Sequence, residues 1–173
     1  MEKIYYKSKL LTLAEVRKKV KGRSTSIIRI VENDAVVVLP LIGKHRILLE
    51  IQHRPAVGKH IYELPAGHIE KGESPAEAVK RELKEETGYV PKEVRFMFKA
   101  YQEPGANTSL HWFYRASNFK IEAAAPEIDE DIRIKIVTLG RALAMIRNNS
   151  IIDTKTIAAI LYYVHFVEKM GYT

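Results

Sequence analysis

The sequence predicts an α/β protein of the α+β kind, a mixed β-sheet sandwiched between helices and preceded by an N-terminal β segment. Three observations carry that expectation. Ala35–Ile42 (AVVVLPLI) is a nearly continuous apolar run, the pattern of a strand covered on both faces. Ser74-Pro75-Ala76-Glu77 opens a helix with a serine N-cap, a proline at N1 and a glutamate at N3 that closes a capping box. The other strand-like and helix-like segments do not alternate as regular βαβ units, which favours a mixed sheet over a purely parallel one.

In chain order, Ile4–Leu10 and Thr25–Val31 read as strands, the second rich in β-branched residues. Gly43–His45 supplies a bend between Ala35–Ile42 and Arg46–Arg54 (RILLEIQHR), a further strand that stops before Pro55. The helix from Ser74 ends at Gly88. Val94–Gln102 and Leu110–Ser117 are strands joined by the loop EPGANTS, which contains Pro104, Gly105 and Asn107. Leu110, Trp112 and Tyr114 alternate with His111, Phe113 and Arg115, and the first set is expected in the core. Ile132–Thr138 is a strand. Gly140–Asn148 and Thr154–Met170 carry helical spacing, the latter with Ile157, Ile160, Leu161 and Val164 on one face. His45 and His60 fall in expected loops, and His165 on the last helix is expected to pack at an interface or core edge.

The 173 residues contain no cysteine, which excludes disulfides, thiolate metal sites and cysteine nucleophiles. The N-terminus shows no signal-peptide pattern, and no apolar run reaches the length of a membrane span, so a soluble, cytoplasmic protein is expected. The 28 Lys and Arg against 21 Asp and Glu give a formal net charge of +7. Because these residues are dispersed, Lys-rich solvated faces such as Lys18–Arg23 account for the charge; attraction of phosphorylated molecules is the alternative.

Against this basic background, Gly67–Gly88 (GHIEKGESPAEAVKRELKEETG) gathers six glutamates. Glu82 and Glu86 are one helical turn apart and share a face, with Glu85 beside them. Clustered carboxylates near a helix C-terminus oppose the macrodipole and repel one another, and Arg81 offers only partial relief. A hard divalent cation held by oxygen ligands would supply the missing positive charge. A solvated glutamate-rich face laced with Lys80, Arg81 and Lys84 is the competing reading, and composition alone favours it.

Spacing reverses that. Gly67, Glu73, Arg81, Glu82, Leu83, Glu85, Glu86 and Gly88 stand at the positions of the Nudix box, and the chain resembles the Nudix hydrolases. Tyr89 departs from the aliphatic residue usual at the last position. The resemblance implies the Nudix fold, one domain over residues 1–173, and a metal-dependent cut in a nucleoside diphosphate linked to another group. It implies Glu82 and Glu86 as principal metal ligands, Glu85 close to metal or water, and the Ala66 carbonyl completing the coordination. Arg81 and Glu73 would hold the loop–helix geometry. The expected ion is Mg²⁺, with Mn²⁺ as a substitute.

Gln52–Glu73 (QHRPAVGKHIYELPAGHIEKGE), Pro104 and Ile151–Tyr163 are similar to the ADP-ribose pyrophosphatase branch, which extends the resemblance over roughly Val31 to Val164. That branch implies hydrolysis of ADP-ribose to AMP and ribose 5-phosphate. Another nucleotide sugar, or a non-catalytic nucleotide-sugar or RNA-binding role, is the alternative; nucleic acid and membrane partners are not expected. It further implies Arg54, Glu32, Pro104 and Tyr6 as substrate-side residues and a base from the acidic segment Ala125–Ile134, with Glu130 first and Glu127 second. A homodimer built through residues 1–30, with 31–173 as catalytic core, is also implied. The sequence PGANTSLHW lacks the acids often found after Pro104, which leaves substrate preference open.

Overall fold

In the computed structural model of the chain, residues 2–125 and 131–168 are described. The first three strands, β1 (Glu2–Lys7), β2 (Leu11–Val20) and β3 (Arg23–Glu32), form an antiparallel sheet in the order β1-β2-β3. Ser8 makes the first turn by accepting the Leu10 and Leu11 amides on its hydroxyl, so β1 stops short of the expected Leu10. Lys21 and Gly22 make the second turn with positive φ at both residues (50° and 79°), as a two-residue hairpin loop requires. The sequence predicts no strand over Leu11–Val20 and a solvated face at Lys18–Arg23. The face is exposed as expected, yet it belongs to a ribbon whose outer end is wet on both sides and therefore shows no apolar alternation.

The larger sheet has seven strands: β4 (Ala35–Ile42), β5 (Arg46–Arg54), β6 (Lys59–Glu63), β7 (Ala66–His68), β8 (Tyr89–Tyr101), β9 (Leu110–Ile121) and β10 (Ile132–Thr138). Its main order is β10-β5-β4-β9-β8, with β6 paired to β5 and β7 to β4. Only β4 and β9 run parallel, so the sheet is mixed. The strand β6 replaces the loop expected around His60. Strands β8 and β9 outrun their expected ends because they go on pairing as far as Tyr89 opposite Ile121.

Helix α1 (Pro75–Thr87) covers one face of this sheet, while α2 (Leu139–Arg147) and α3 (Thr154–Tyr162) cover the other. A π-helical segment (Tyr163–Glu168) continues α3 over part of the expected helix. The apolar run of β4 is divided between the two layers. Val36 and Val38 pack with Ala78, Val79 and Leu83 of α1, whereas Val37 and Leu39 pack with Leu139, Ala142, Ala159 and Ile160. All four β4 side chains are fully buried, and each contributes ~1.5–3 kcal/mol, so the strand is secured from both sides. β9 is likewise covered twice: Trp112 and Tyr114 face the α1 layer, and Phe113 faces the α3 layer. Leu161, expected on the buried face of α3, is exposed instead.

Candidate active site

The site is built where β7 meets α1. Ser74 caps α1 by accepting the Glu77 amide, and the Glu77 carboxylate accepts the Ser74 amide at 2.9 Å. At the other end Gly88 takes the left-handed conformation (φ 74°) and donates to the Lys84 carbonyl. A Cβ on Gly88 would also meet the Glu122 carbonyl at 2.5 Å, so two independent constraints select glycine there.

Between these caps Arg81 ties helix to loop. Its Nε and Nη2 donate to the two oxygens of Glu73 (both 2.9 Å), and Nη2 also donates to the His68 carbonyl at 2.9 Å. Nη1 donates to Glu82 at 2.8 Å and to Glu85 at 3.1 Å. The guanidinium therefore grips three carboxylates and one carbonyl, more than the partial relief expected from sequence. Its bond to Glu73 holds that carboxyl below the ordinary glutamate range. Glu86 is buried on the same helix, and electrostatic attraction links it to Arg54. Three carboxylates thus share one fully engaged guanidinium, with Glu86 one turn along the same helix.

The Glu82 carboxylate lies against the loop backbone. A Cβ on Gly67 would come within 2.1 Å of its Cδ and Oε1, so only glycine admits it. Gly67 pairs with Val36 on β4, which fixes the Ala66–Gly67 backbone under the helix.

A second charged group joins β5, β6 and the start of α3. Arg54, at the end of β5, makes a forked bond to Glu63 of β6, with Nε at 2.7 Å and Nη2 at 3.0 Å. The Glu63 side chain is only 1% exposed and also contacts Lys155 Nζ, which bonds Asp153 at 3.0 Å. Burial by itself would raise the Glu63 carboxyl; Arg54 and Lys155 outweigh it and hold the group below its ordinary value. His111, buried on β9, is pushed down first by burial and then by Lys155 and His68, so it is neutral near pH 7.

Residues 31–157 match the family model described as NUDIX domain. The chain belongs to the NUDIX family. Among curated relatives it is 34% identical to a methanol dehydrogenase activator of Bacillus methanolicus over 130 residues, 74% of this chain and 70% of that protein. It is 35% identical to an ADP-ribose pyrophosphatase of Bacillus subtilis (strain 168) over 130 residues, with the same coverage. It is also 35% identical to a GDP-mannose pyrophosphatase of Salmonella arizonae over 149 residues, 80% of this chain and 76% of that protein. The fold matches the crystal structure of an ADP compounds hydrolase with a TM-score of 0.89, at 20% identity, over all of this chain and 95% of the other. This is a Nudix hydrolase, similar to ADP-ribose pyrophosphatase.

The Nudix motif residues Glu73, Arg81, Glu82 and Glu85 come together, Glu86 follows one turn after Glu82 on the same helix, and Ala66 stands on β7 next to Gly67. Glu85 is bonded to Arg81 and partly exposed at the side of the group. Among the described residues no three His, Asp or Glu side chains converge as a ready-made metal cluster. The donor chemistry nonetheless fits a hard cation: Glu82 and Glu86 on one helix face, the first against the Ala66–Gly67 backbone, and oxygen atoms throughout.

Arg54 lies within electrostatic reach of Glu86. Glu32, at the end of β3, accepts from the Asn107 side chain at 2.7 Å, and Pro104 sits in that same loop. Tyr6 is exposed on β1. His165 is exposed on the π-helical segment. Glu127 and Glu130 lie outside the described residues. Glu63, Asp153 and Lys155 received no role from the sequence, although Asp153-x-x-Thr156 is a recognisable helix start that could have drawn attention to them.

Proposed function

We propose that the chain uses a divalent metal to cleave the pyrophosphate bond of ADP-ribose, giving AMP and ribose 5-phosphate. The observation that carries this reading is the Arg81 clamp, which sets the Glu82 carboxylate against the Ala66–Gly67 backbone with Glu86 one turn away. Glu82, Glu86 and the Ala66 carbonyl hold the ion, Mg²⁺ first and Mn²⁺ as a substitute. Bound there, it would neutralise pyrophosphate charge and lower the proton affinity of a nearby water. Arg54 aligns the substrate phosphates through the edge of its guanidinium not occupied by Glu63. Glu85 stays within the clamp, near the reacting centre. Glu130, or failing it Glu127, takes the proton from the attacking water. Glu32 and Pro104 border the substrate side, and Tyr6 offers a ring for the adenine.

The likeness to a GDP-mannose pyrophosphatase, together with the acid-free loop Pro104–Ser109, supports a second reading in which another nucleotide sugar is preferred. A hydrolysis panel of ADP-ribose, GDP-mannose and UDP-glucose with Mg²⁺ or Mn²⁺ decides between them. ADP-ribose is expected to have the highest kcat/KM; a preference for GDP-mannose selects the second reading, and no cleavage of any of the three refutes both. Glu82→Gln and Glu86→Gln should each remove most turnover while leaving the fold intact. Parent-like turnover of either at saturating Mg²⁺ would sink the metal-site assignment.

The protein is further proposed to act as a cytoplasmic homodimer through its N-terminal sheet. Every residue of β1 is exposed, and Ile4, Tyr5, Tyr6 and Ile28 are each at least half accessible, an apolar surface that association would cover. Light scattering at micromolar concentration should give twice the chain mass; a monomer refutes the dimer. No helix among the described residues is long and apolar enough to cross a membrane.

A further inference from the structure

The first turn of α3 has no part in the chemistry proposed above, yet it is fastened at several points to β6 and the segment before β7. The Thr156 hydroxyl is fully buried and accepts the Leu64 amide at 2.8 Å, tying the helix to the backbone just before β7. Asp153 caps the helix through the Thr156 amide at 2.9 Å and holds Lys155 Nζ at 3.0 Å. Lys155, itself mostly buried, contacts the Glu63 carboxylate that receives the Arg54 fork. The chain of contacts therefore runs from Asp153 to Lys155 to Glu63 to Arg54.

Its two ends differ in character. Glu63 is sealed at 1% exposure, whereas the Arg54 side chain is 40% exposed. The fork uses Nε and Nη2, and Nη1 donates to no described residue. An arginine has many rotamers of similar energy, and a bidentate bond to an immobile carboxylate selects one of them. That selection works only if the carboxylate is itself fixed. A buried glutamate held by a single arginine could follow it; a second cation from another element anchors it.

We infer that Lys155 is a positioning residue: by anchoring Glu63 it fixes the Arg54 guanidinium with its open edge towards the substrate phosphates. The inference rests on the reading of Arg54 as a substrate contact, and it assigns the start of α3 to the recognition of a nucleoside diphosphate.

The test is a double-mutant cycle read on binding, which needs no turnover. The Kd for ADP is measured by calorimetry in EDTA for the parent, Lys155→Met, Arg54→Met and the double variant. Thermal unfolding is recorded for each. Lys155→Met should weaken ADP by ~10-fold, the scale seen when an outer partner of a ligand-binding group is lost. In the Arg54→Met background the same change should add less than about twofold, because its effect passes through Arg54. Lys155→Arg should restore most of the affinity.

Equal factors in both backgrounds would overturn the inference, as would unchanged ADP binding by Lys155→Met or a parent that does not bind ADP. If Lys155→Met does not fold, the pair Glu63→Gln with Lys155→Met removes both charges together. It should fold and bind ADP about as weakly as expected for Lys155→Met, and parent-like binding would overturn the inference. The hydrolysis panel is scored separately: a parent that cleaves none of its members refutes the proposed function, and the Kd cycle still decides the role of Lys155.

Discussion

Replacing Gly67 with alanine tests the site through a single methyl group. An added Cβ would lie 2.1 Å from both Cδ and Oε1 of Glu82, so the methyl and the carboxylate cannot coexist. Gly67 is not among the glycines with positive φ, and alanine therefore strains no dihedral there. The atoms in the way are the far end of a flexible side chain, which can swing aside. In doing so it gives up the 2.8 Å bond from Arg81, a charge-assisted contact of ~1.5–3 kcal/mol. Hydration of the displaced carboxylate and the other Arg81 bonds to Glu73 and Glu85 recover part of this. The net loss should be about 1–2 kcal/mol, or roughly 2–8 °C in Tm for a chain of this size.

Function should suffer more than stability. The displaced carboxylate is one of the two expected principal metal ligands, and affinity for the ion should fall by ~10–100-fold. The two effects separate in two measurements: thermal unfolding in EDTA, and turnover of ADP-ribose titrated with Mg²⁺. A variant with the parent's Mg²⁺ midpoint would refute the placement of Glu82 against the loop. A loss beyond about 4 kcal/mol would show that backbone, rather than the carboxylate, gives way.

Two further outcomes are expected. Ser74→Ala removes the N-cap of α1 and should lower stability by ~1 kcal/mol. Glu82 lies eight residues further on, ~12 Å along the helix, so metal dependence should be unchanged in the same preparation; a shifted Mg²⁺ midpoint would contradict that separation. The second concerns pH. His111 is held below its ordinary value of 6.5 by burial and by Lys155 and His68, against the pull of Asp153 and Glu32. The unfolded chain therefore takes up this proton more readily, so the contribution is fully present above pH 6.5 and is lost as pH falls below it. Melting curves in EDTA should show Tm falling with pH in that window, with a shallower slope for His111→Gln; parallel slopes would rule out His111 as a source.

Legibility in the sequence followed burial and locality. β4 and β5 were found to the residue because β4 is apolar on both faces and Gly43 marks the bend between them. The caps of α1 were read in full, since Ser74, Glu77 and Gly88 act within a few residues of each other. β2 and β6 escaped because a ribbon whose outer end is wet on both sides, or a five-residue strand, has too little alternation to detect. The clamp residues were legible through fixed spacing on one helix and its loop. The union of Arg54, Glu63 and Lys155 was not, because Glu63 and Lys155 are 92 positions apart and meet only when α3 packs on the sheet. Burial of His111 was hidden for a related reason: β9 is covered on both faces, so its alternation does not separate inside from outside.

The loop after β8 is joined to the end of β3. Ile30 donates its amide to the Ala106 carbonyl at 2.7 Å and accepts the Thr108 amide at 3.0 Å, while Asn107 bonds Glu32. Two segments some seventy residues apart thus share one seam. In chimeras between this chain and its relatives, residues 103–109 and the N-terminal sheet form a single exchangeable cassette. Grafting the loop alone would leave Ile30 facing a mismatched backbone, so the loop and the sheet should transfer together or not at all.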